Sequence, residues 1–388
     1  MNLFFLELKR IFKSFIFWGL GIAFVLAITS QLGNTLDEFN EPDPNQEYYG
    51  NYLTDDISYI YPNLIDDLIT SVDTNYFATY PYGFYRERNL KQDELIAIKD
   101  IISELIGIPY EDINENEIVD IPNKKKLEIQ LDKIDAIIGG GSFYSKDKYR
   151  IQYGNKGMNY EEAVADYCLM KKNGYDVAFA RYFSDYAGIF ALLLSWFIGI
   201  YFWNKDRREA IANTLYIKQE SSKKIILSRV IAMSVSLLCV VLMIFTYYEI
   251  KILMVFSSEV LSPVKAYVLI TMWILPIILF VVSLSSFLTV TTNSILLTLL
   301  GPIISMVYLM FSSANIFYNV GYGLLIRYNS VGNEAYFSSK VDTFLASRTV
   351  WIIIDIIIII FTVFIYERRR RGYDVFKNHF SNKNRANA

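Results

Sequence analysis

The sequence is poor in the residues that carry most enzymatic chemistry. Its 388 residues include two cysteines and one histidine, His379. The chain therefore has almost none of the residues that form zinc hydrolase sites, Cys–His nucleophiles or Ser–His–Asp triads. Its two separated cysteines provide no disulfide framework. The formal net charge of −3 also disfavours a nucleic-acid-binding protein, which needs a basic surface. We expect a non-catalytic chain that binds no metal and no nucleic acid.

Charged residues are also scarce, and the apolar residues are clustered. Charged residues make up 20% of the chain and hydrophobic residues 53%, whereas a soluble globular chain carries about 25% charged residues. A transmembrane helix needs about 20 mostly apolar residues. The uncharged runs predict six such helices, because the longest run, 266–326, can hold two of them. The predicted spans are 14–36, 186–204, 230–248, 266–290, 295–311 and 349–366.

Lysine and arginine near the ends of the spans predict the orientation. Residues 1–13 carry three basic residues and one acidic residue. Segment 205–229 carries seven basic and three acidic residues, and tail 367–388 carries seven basic and two acidic residues. These three segments fall on one side of a six-span chain, and cytoplasmic segments are enriched in Lys and Arg. Both termini are therefore expected in the cytoplasm. Segment 37–185, with 15 basic and 29 acidic residues, is then extracellular, and so is segment 312–348, where we expect re-entrant or interfacial structure.

The first 13 residues have an amphipathic pattern. At 100° per residue, one arc is apolar and the opposite arc is polar. The apolar arc holds Phe4, Phe5, Leu8, Ile11 and Phe12, and the polar arc holds Asn2, Glu7, Lys9, Arg10 and Lys13. Two interpretations remain open. The segment either lies in the membrane interface with its basic side toward the headgroups, or it extends the first span.

Segment 37–185 is too long for a loop and is patterned as a small, mostly helical domain. Apolar residues recur at helical spacing in 90–108 and in 124–138, and three glycines end the second helix. Asn159 predicts the N-cap of a third helix. The acidic, tyrosine-rich composition fits either a surface that binds cationic partners or ordinary solvent-exposed surface.

Segment 205–229 predicts two helices that meet at a cytoplasmic elbow. Its first half has helical composition, and Ser221 offers an N-cap for the helix that enters the third span. Leu215, Tyr216 and Ile217 place apolar side chains at the tip of the elbow. Exposed apolar residues at such a place commonly mark a site where a partner binds.

Together these features resemble the ABC-2 type family of ABC transporter permeases. The resemblance rests on the basic amphipathic helix, the large insertion after the first span and the basic tail. It also rests on Ala180-Arg181-Tyr182-Phe183-Ser184-Asp185 before the second span, and on the loop from Asp206-Arg207-Arg208 to Arg229. It covers essentially the whole chain, although segment 37–185 is matched only as an insertion of this type. It implies an all-α fold of six transmembrane helices and a bacterial exporter.

In that family this loop carries the coupling helix that docks on a cytoplasmic ATPase. The resemblance assigns this role to Thr214, Leu215, Tyr216, Ile217, Lys218, Gln219 and Glu220. Many members have Thr-Pro or Ser-Pro near this turn, where this chain has Lys218-Gln219-Glu220-Ser221. The sequence contains no Gly-x-x-x-x-Gly-Lys-Ser/Thr motif, so ATP and Mg²⁺ are expected on a separate ATPase chain.

An ABC machine needs two membrane halves, so a second copy of this chain or a similar permease is expected as a partner. Gly19, Ala23 and Ala27 follow one another at four-residue spacing in the first span. Small residues at this spacing let two helices approach closely, either between chains or within one chain.

Asp355 is the only acid inside a predicted span and is a candidate for the substrate path. It lies six residues into that span, about 9 Å deep at 1.5 Å per residue. It either faces a watery cavity or is hydrated near the outer interface. An amphipathic peptide is the leading substrate class, because segment 37–185 is large and acidic; drugs and lipids remain open. The alternative function is a ligand-sensing, signal-transmitting subunit without transport.

Overall fold

A computed structural model describes residues 3–33, 41–81, 85–113, 122–146, 148–208, 220–256, 261–292, 294–312 and 320–371. The chain forms two compact units. We call residues 1–40, 166–309 and 318–388 the membrane unit, and residues 41–165 and 310–317 the insertion unit. The boundary falls within one helix, well before residue 185, where the sequence placed the end of the outer segment.

The described residues are mostly helical. In chain order the elements are α1 (Leu3–Phe12), α2 (Phe15–Leu32), β1 (Asn51–Leu53), α3 (Ile57–Asp73), β2 (Phe77–Thr79), β3 (Arg86–Arg88), α4 (Gln92–Ile106), α5 (Lys124–Ile138), α6 (Tyr149–Tyr153), β4 (Asn155–Gly157), α7 (Tyr160–Asn173), α8 (Tyr175–Arg208), α9 (Ser222–Val255), α10 (Pro263–Thr292), α11 (Ile295–Ser312), α12 (Glu334–Ser339) and α13 (Val341–Arg370).

Five helices of the membrane unit, α2, α8, α9, α10 and α13, are long and apolar enough to cross a membrane. This confirms a mostly helical protein, and the five apolar helices fit one that is embedded in a membrane. The part Ile295–Leu309 of α11 is also apolar but is shorter than these five helices, so the count of six spans stays a prediction. The long helices run past the uncharged segments that predicted them. Helix α8 starts at Tyr175 and α13 starts at Val341, so both begin before the predicted spans, and the added turns contain the buried charged residues Asp176, Arg181, Asp185 and Arg348.

Glycine allows α8 and α10 to pack closely. A Cβ atom at Gly199 would overlap the side chain of Ser285, and one at Gly188 would lie 3.2 Å from Ile277 Cδ1. Without hydrophobic driving force between helices in lipid, such small residues give van der Waals contact between backbones. One hydrogen bond reinforces the pair, because Trp203 Nε1 donates to Ser286 Oγ at 2.7 Å.

The insertion unit has a helical core with two small antiparallel sheets. Strand β1 pairs with β4, and β2 pairs with β3. Helices α3, α4 and α5 supply most of the buried apolar side chains. The structure confirms the two helices predicted in 90–108 and 124–138. It adds α3, which the sequence analysis did not predict, because Pro62 and scattered tyrosines obscured its apolar face.

Several tyrosines of the insertion unit are core residues rather than surface residues. The Tyr144 hydroxyl donates to Asp67 Oδ2 at 2.9 Å, and the Tyr153 hydroxyl donates to the same oxygen at 2.5 Å. The Tyr61 hydroxyl donates to the Leu105 carbonyl at 3.0 Å. Burial raises the pKa of Tyr144 and Tyr153, so both phenols remain protonated donors. Part of the tyrosine-rich composition therefore reflects packing of large rings with paired hydroxyls.

Candidate functional site

The three basic segments of the membrane unit meet at one end of its helices. Helix α1 packs against the start of α9. The Ser222 hydroxyl at the start of α9 donates to Glu367 at the end of α13. Arg370 Nη1 donates to the Glu220 carbonyl at 2.5 Å, and Arg369 Nη2 donates to the Thr291 carbonyl at the end of α10 at 2.9 Å. We call this the basic end of the membrane unit.

A buried ion pair fixes α1 to α9. Arg229 Nη2 donates to Glu7 Oε1 at 2.9 Å, and the Arg229 guanidinium lies 4.4 Å from the ring centre of Trp203 in α8. Glu7 is 8% exposed and Arg229 2% exposed. The prediction that Glu7 belongs to an exposed polar arc is therefore wrong. Glu7 points into the protein, because Arg229 compensates the loss of its hydration.

Helix α1 is separate from the first long helix. It ends at Phe12, and Ser14 has an extended backbone with φ −80° and ψ 125° before α2 begins. This excludes the interpretation of the N-terminal segment as a continuous extension of the span. The apolar side chains of Phe5 and Leu6 remain exposed, as expected for a helix that contacts lipid.

The second arm of the predicted elbow is well fixed, whereas its tip lies outside the described residues. Thr214, Leu215, Tyr216, Ile217, Lys218 and Gln219 belong to the part that the structure does not describe. Ser221 caps α9 by accepting from the Lys224 amide at 3.3 Å, as predicted. Glu220 forms an ion pair with Lys224 at 2.8 Å. The coupling role of Thr214–Glu220 stays a prediction.

At the opposite end, buried charges hold the segment 320–340 on α7 and α8. We call this segment the strap. Arg181 pairs with Glu334, and its Nη2 donates to the Val331 carbonyl at 2.8 Å. Asp166 accepts from the amides of Asn333 and Glu334, both at 2.8 Å. Burial raises the pKa of Asp166, while these two hydrogen bonds oppose that rise.

Two further arginines complete the attachment of the strap. Arg327 donates to Asp185, which also accepts from the amides of Tyr328 at 3.1 Å and Asn329 at 2.8 Å. Arg348 in α13 donates to the strap's backbone, at 2.7 Å to the Gly323 carbonyl and 3.0 Å to that of Leu324. Residues 320–333 contain no helix, and only the six-residue α12 is helical in the strap, so its shape comes from these ion pairs and hydrogen bonds.

Asp355 lies at the middle of α13, not near one end. It is 14 residues from Val341 and 15 from Arg370, and it is 1% exposed. Neither carboxylate oxygen has a hydrogen-bond partner among the described residues. Neighbouring Ile353, Ile356 and Ile357 are exposed on the other side of the helix. Asp355 therefore points into the helix bundle. It lies farther from the start of its helix than the predicted span implied, because α13 starts eight residues before residue 349, while its depth in a membrane stays a prediction.

The long apolar helices contain further acids outside the predicted spans. Asp176 and Asp185 lie in α8 and Glu249 lies in α9, all buried. The Ser262 amide donates to both carboxylate oxygens of Asp176, at 2.8 and 2.9 Å. The predicted spans were defined as uncharged runs, so they stop next to Asp185 and Glu249 and leave these acids out.

These features define two candidate sites, the basic end with the elbow and the buried Asp355 between the helices. Among the described residues, no group of three or more His, Cys, Asp or Glu side chains is placed to hold a metal ion. The chain matches no protein-family model, no curated protein and no solved structure. Within the residues that it describes, the structure shows a mostly helical protein with five helices long and apolar enough to cross a membrane.

Proposed function

We propose that this chain is the membrane-spanning permease subunit of an ATP-driven ABC exporter in a bacterial cell membrane. Helix α11 completes six transmembrane helices, and the basic end faces the cytoplasm. The convergence of three separate basic segments at that end carries the proposal. Cytoplasmic segments of membrane proteins are enriched in Lys and Arg, and here the contacts among α1, α9 and α13 join segments far apart in sequence.

In this proposal, Thr214–Glu220 bind a separate cytoplasmic ATPase. This stretch belongs to the chain segment between α8 and α9, so a movement imposed on it acts on both helices. The Glu7–Arg229 pair and the Arg370–Glu220 hydrogen bond extend the connection to α1 and α13. A displacement of the ATPase at the elbow is thereby passed to four packed helices as rigid elements.

The substrate in this proposal is amphipathic, with a peptide as the leading class. The insertion unit lies outside the cell, and its negative balance attracts cationic substrates. A second permease copy completes the transporter. Gly19 in α2 supports such a contact, since a Cβ there would meet nothing within 4 Å. The alternative is a ligand-sensing subunit. Its support is that Gly174 alone separates α7, whose first residues belong to the insertion unit, from α8 of the membrane unit. A flux assay distinguishes the two.

The elbow provides the direct test. Changing Leu215, Tyr216 and Ile217 together to Ser is expected to detach the ATPase chain or abolish its stimulation by substrate, while the permease still inserts. Three apolar hot-spot residues in an interface cost about 2 kcal/mol or more each, so the affinity falls by well over tenfold. The measurement is co-purification of the ATPase and substrate-stimulated hydrolysis in the reconstituted complex.

The matched control changes three exposed apolar residues of the insertion unit, Tyr48, Ile96 and Ile129, to Ser. It removes similar apolar surface and should leave the amount of co-purified ATPase unchanged. Wild-type coupling in the elbow variant would contradict the proposed docking role. A co-purified ATPase with no flux of any substrate, but with ligand-dependent hydrolysis, would favour the sensing subunit.

Asp355 tests the substrate path. Asp355→Asn removes the charge with little change of shape, so we expect normal assembly and a transport rate reduced by roughly tenfold or more. A buried carboxylate without a partner is expensive in a membrane and is retained chiefly where it serves function. Stability should be unchanged or higher, because an uncompensated charge is removed. Transport and thermal unfolding are measured on the same preparation.

Asp342→Asn is the control, since Asp342 is exposed in the first turn of the same helix. It should leave transport unchanged. Wild-type rates and unchanged substrate preference in the Asp355→Asn variant would reject the path assignment and leave Asp355 as a hydrated or locally neutralised group.

A further inference from the structure

A groove lies at the basic end, between α1 and the first three turns of α9. Its volume is about 460 Å³, within the usual range for sites that hold small molecules. It is lined by Phe4, Ser221, Lys223, Lys224, Leu227, Ser228 and Ile231. Five of the seven residues belong to one face of α9 and Ser221 is its N-cap, while Phe4 of α1 forms the opposite wall. The groove exists because the buried Glu7–Arg229 pair holds α1 against α9.

The lining changes from cationic to apolar along the groove. Lys223 and Lys224 lie in the first turn of α9, beside the hydroxyl of its N-cap. Leu227 follows one turn later and Ile231 two turns later, so Ile231 lies about 10 Å beyond Lys224 along the helix at 1.5 Å per residue. A phospholipid has the same sequence of chemistry, from an anionic phosphate to an acyl chain.

The cationic part of the groove is available to an anion. Lys223 is exposed and has no ion-pair partner among the described residues. Lys224 pairs with Glu220, but the two side chains are 49% and 44% exposed, and such surface pairs are weak enough to exchange partners. The start of α9 also contributes the positive end of its dipole and its free amide groups.

The exposed apolar residues of the groove favour lipid over a soluble anion. Ile231 in the groove is 43% exposed, and Phe5, which follows the groove residue Phe4 in α1, is 60% exposed. Exposed large apolar residues next to lysines are typical of segments at the level of the lipid headgroups. An occupant that offers only an anion would leave the apolar half of the groove uncovered.

We propose that this groove binds one acidic phospholipid. The phosphate contacts Ser221, Lys223 and Lys224, and an acyl chain runs along Leu227, Ile231 and Phe4. The lipid thereby joins α1 to α9 at the base of the elbow. This proposal requires a membrane-embedded chain but does not depend on ATP-driven export, so each can fail without the other.

The test measures lipid binding to the full-length protein purified in detergent and freed of endogenous lipid. Phosphatidylglycerol and phosphatidylcholine with the same acyl chains are titrated and followed by native mass spectrometry. Wild-type protein should retain phosphatidylglycerol selectively. Lys223→Gln together with Lys224→Gln should weaken it by roughly 10- to 30-fold, since each lysine near an anionic lipid contributes about a fivefold factor.

Lys9→Gln together with Lys13→Gln is the matched control. It removes the same charge from the same end but from residues that do not line the groove. It should reduce binding by less than about threefold. Leu227→Ser together with Ile231→Ser tests the contact with the acyl chain. This variant should bind phosphatidylglycerol more weakly, and its binding of phosphatidylcholine should not increase. Helix content and elution volume confirm that each variant folds.

Four results would overturn the proposal. Equal affinity for phosphatidylglycerol and phosphatidylcholine would show that the groove does not recognise the headgroup. An equal loss of affinity in the two lysine double variants would show that general surface charge attracts the lipid. Displacement of the lipid by inorganic phosphate, with no effect of Leu227→Ser and Ile231→Ser, assigns the groove to a soluble anion. A lysine variant that loses the ATPase chain while binding lipid normally makes the groove a protein-docking site.

Discussion

Arg181→Met is expected to lower the free energy of unfolding by about 3–5 kcal/mol, the range for removing one partner of a buried ion pair. The change leaves Glu334 buried at 4% exposure without its cation. It also removes the positive charge near Asp166 and the cation that lies 4.8 Å from the ring centre of Phe337. Unfolding of the full-length protein in mixed micelles, followed by loss of helix content, measures the effect.

An exposed pair on α13 provides the comparison. Arg371 and Glu367 are 68% and 38% exposed, and Arg371→Met should cost less than about 1 kcal/mol. Adding Glu334→Gln to Arg181→Met should recover much of the loss, because the amide oxygen can still accept from Asn173 and no charge is left buried. Similar losses in Arg181→Met and Arg371→Met would mean that the strap does not depend on this pair.

Arg229→Met is the second change with a large expected effect, again about 3–5 kcal/mol. It leaves Glu7 without its nearest cation in the contact between α1 and α9. The expected consequence is release of α1, which should show as faster proteolysis after Lys9, Arg10 and Lys13. Global helix content should change little, because the long helices keep their own contacts.

A double-mutant cycle with Glu7→Gln isolates the pair. Its coupling energy should exceed about 2 kcal/mol, above the usual value for surface pairs. Arg10 supplies the matched control, since it also approaches Glu7, at 3.5 Å, but is 23% exposed. Arg10→Met should cost less than about 1 kcal/mol and leave α1 protected. Undiminished protection of α1 in Arg229→Met would show that apolar packing alone holds it.

Local signals in the sequence predicted the regular helices well. Apolar spacing in 92–106 and 124–138 specified one buried face each, and Gly139 with φ +106° ends the second helix as expected. Asn159 caps α7, accepting from the Glu162 amide at 2.8 Å, and Glu162 accepts from Asn159 in return. These signals act within one turn of helix, so a single sequence contains them completely.

Long-range pairing was beyond the same reasoning. Strand β1 pairs with β4 about one hundred residues later, and each strand has only three residues. Arg181 and Glu334 are 153 residues apart, and Asp185 and Arg327 are 142 apart. The sequence around each of these residues contains no signal that identifies its partner. Asp185 also ended the uncharged run that predicted the second span, and Arg348 ended the run that predicted the last one, so both predicted spans are shorter than the helices α8 and α13. The elbow was predicted from composition alone, and the test of its tip is the change of Leu215, Tyr216 and Ile217 to Ser.

The separation of the strap from α8 also has a consequence for biosynthesis. Arg181 and Asp185 leave the ribosome long before Glu334 and Arg327 do. At about 5–20 residues per second, the 153-residue interval lasts roughly 8–30 s. During that time the first turns of α8 carry charges whose partners do not yet exist. The uncharged part, 186–204, can enter the bilayer at once, whereas residues 175–185 must remain in contact with water or a chaperone. The helix that appears continuous in the finished protein is therefore expected to enter the membrane in two stages, the second one awaiting the arrival of the strap.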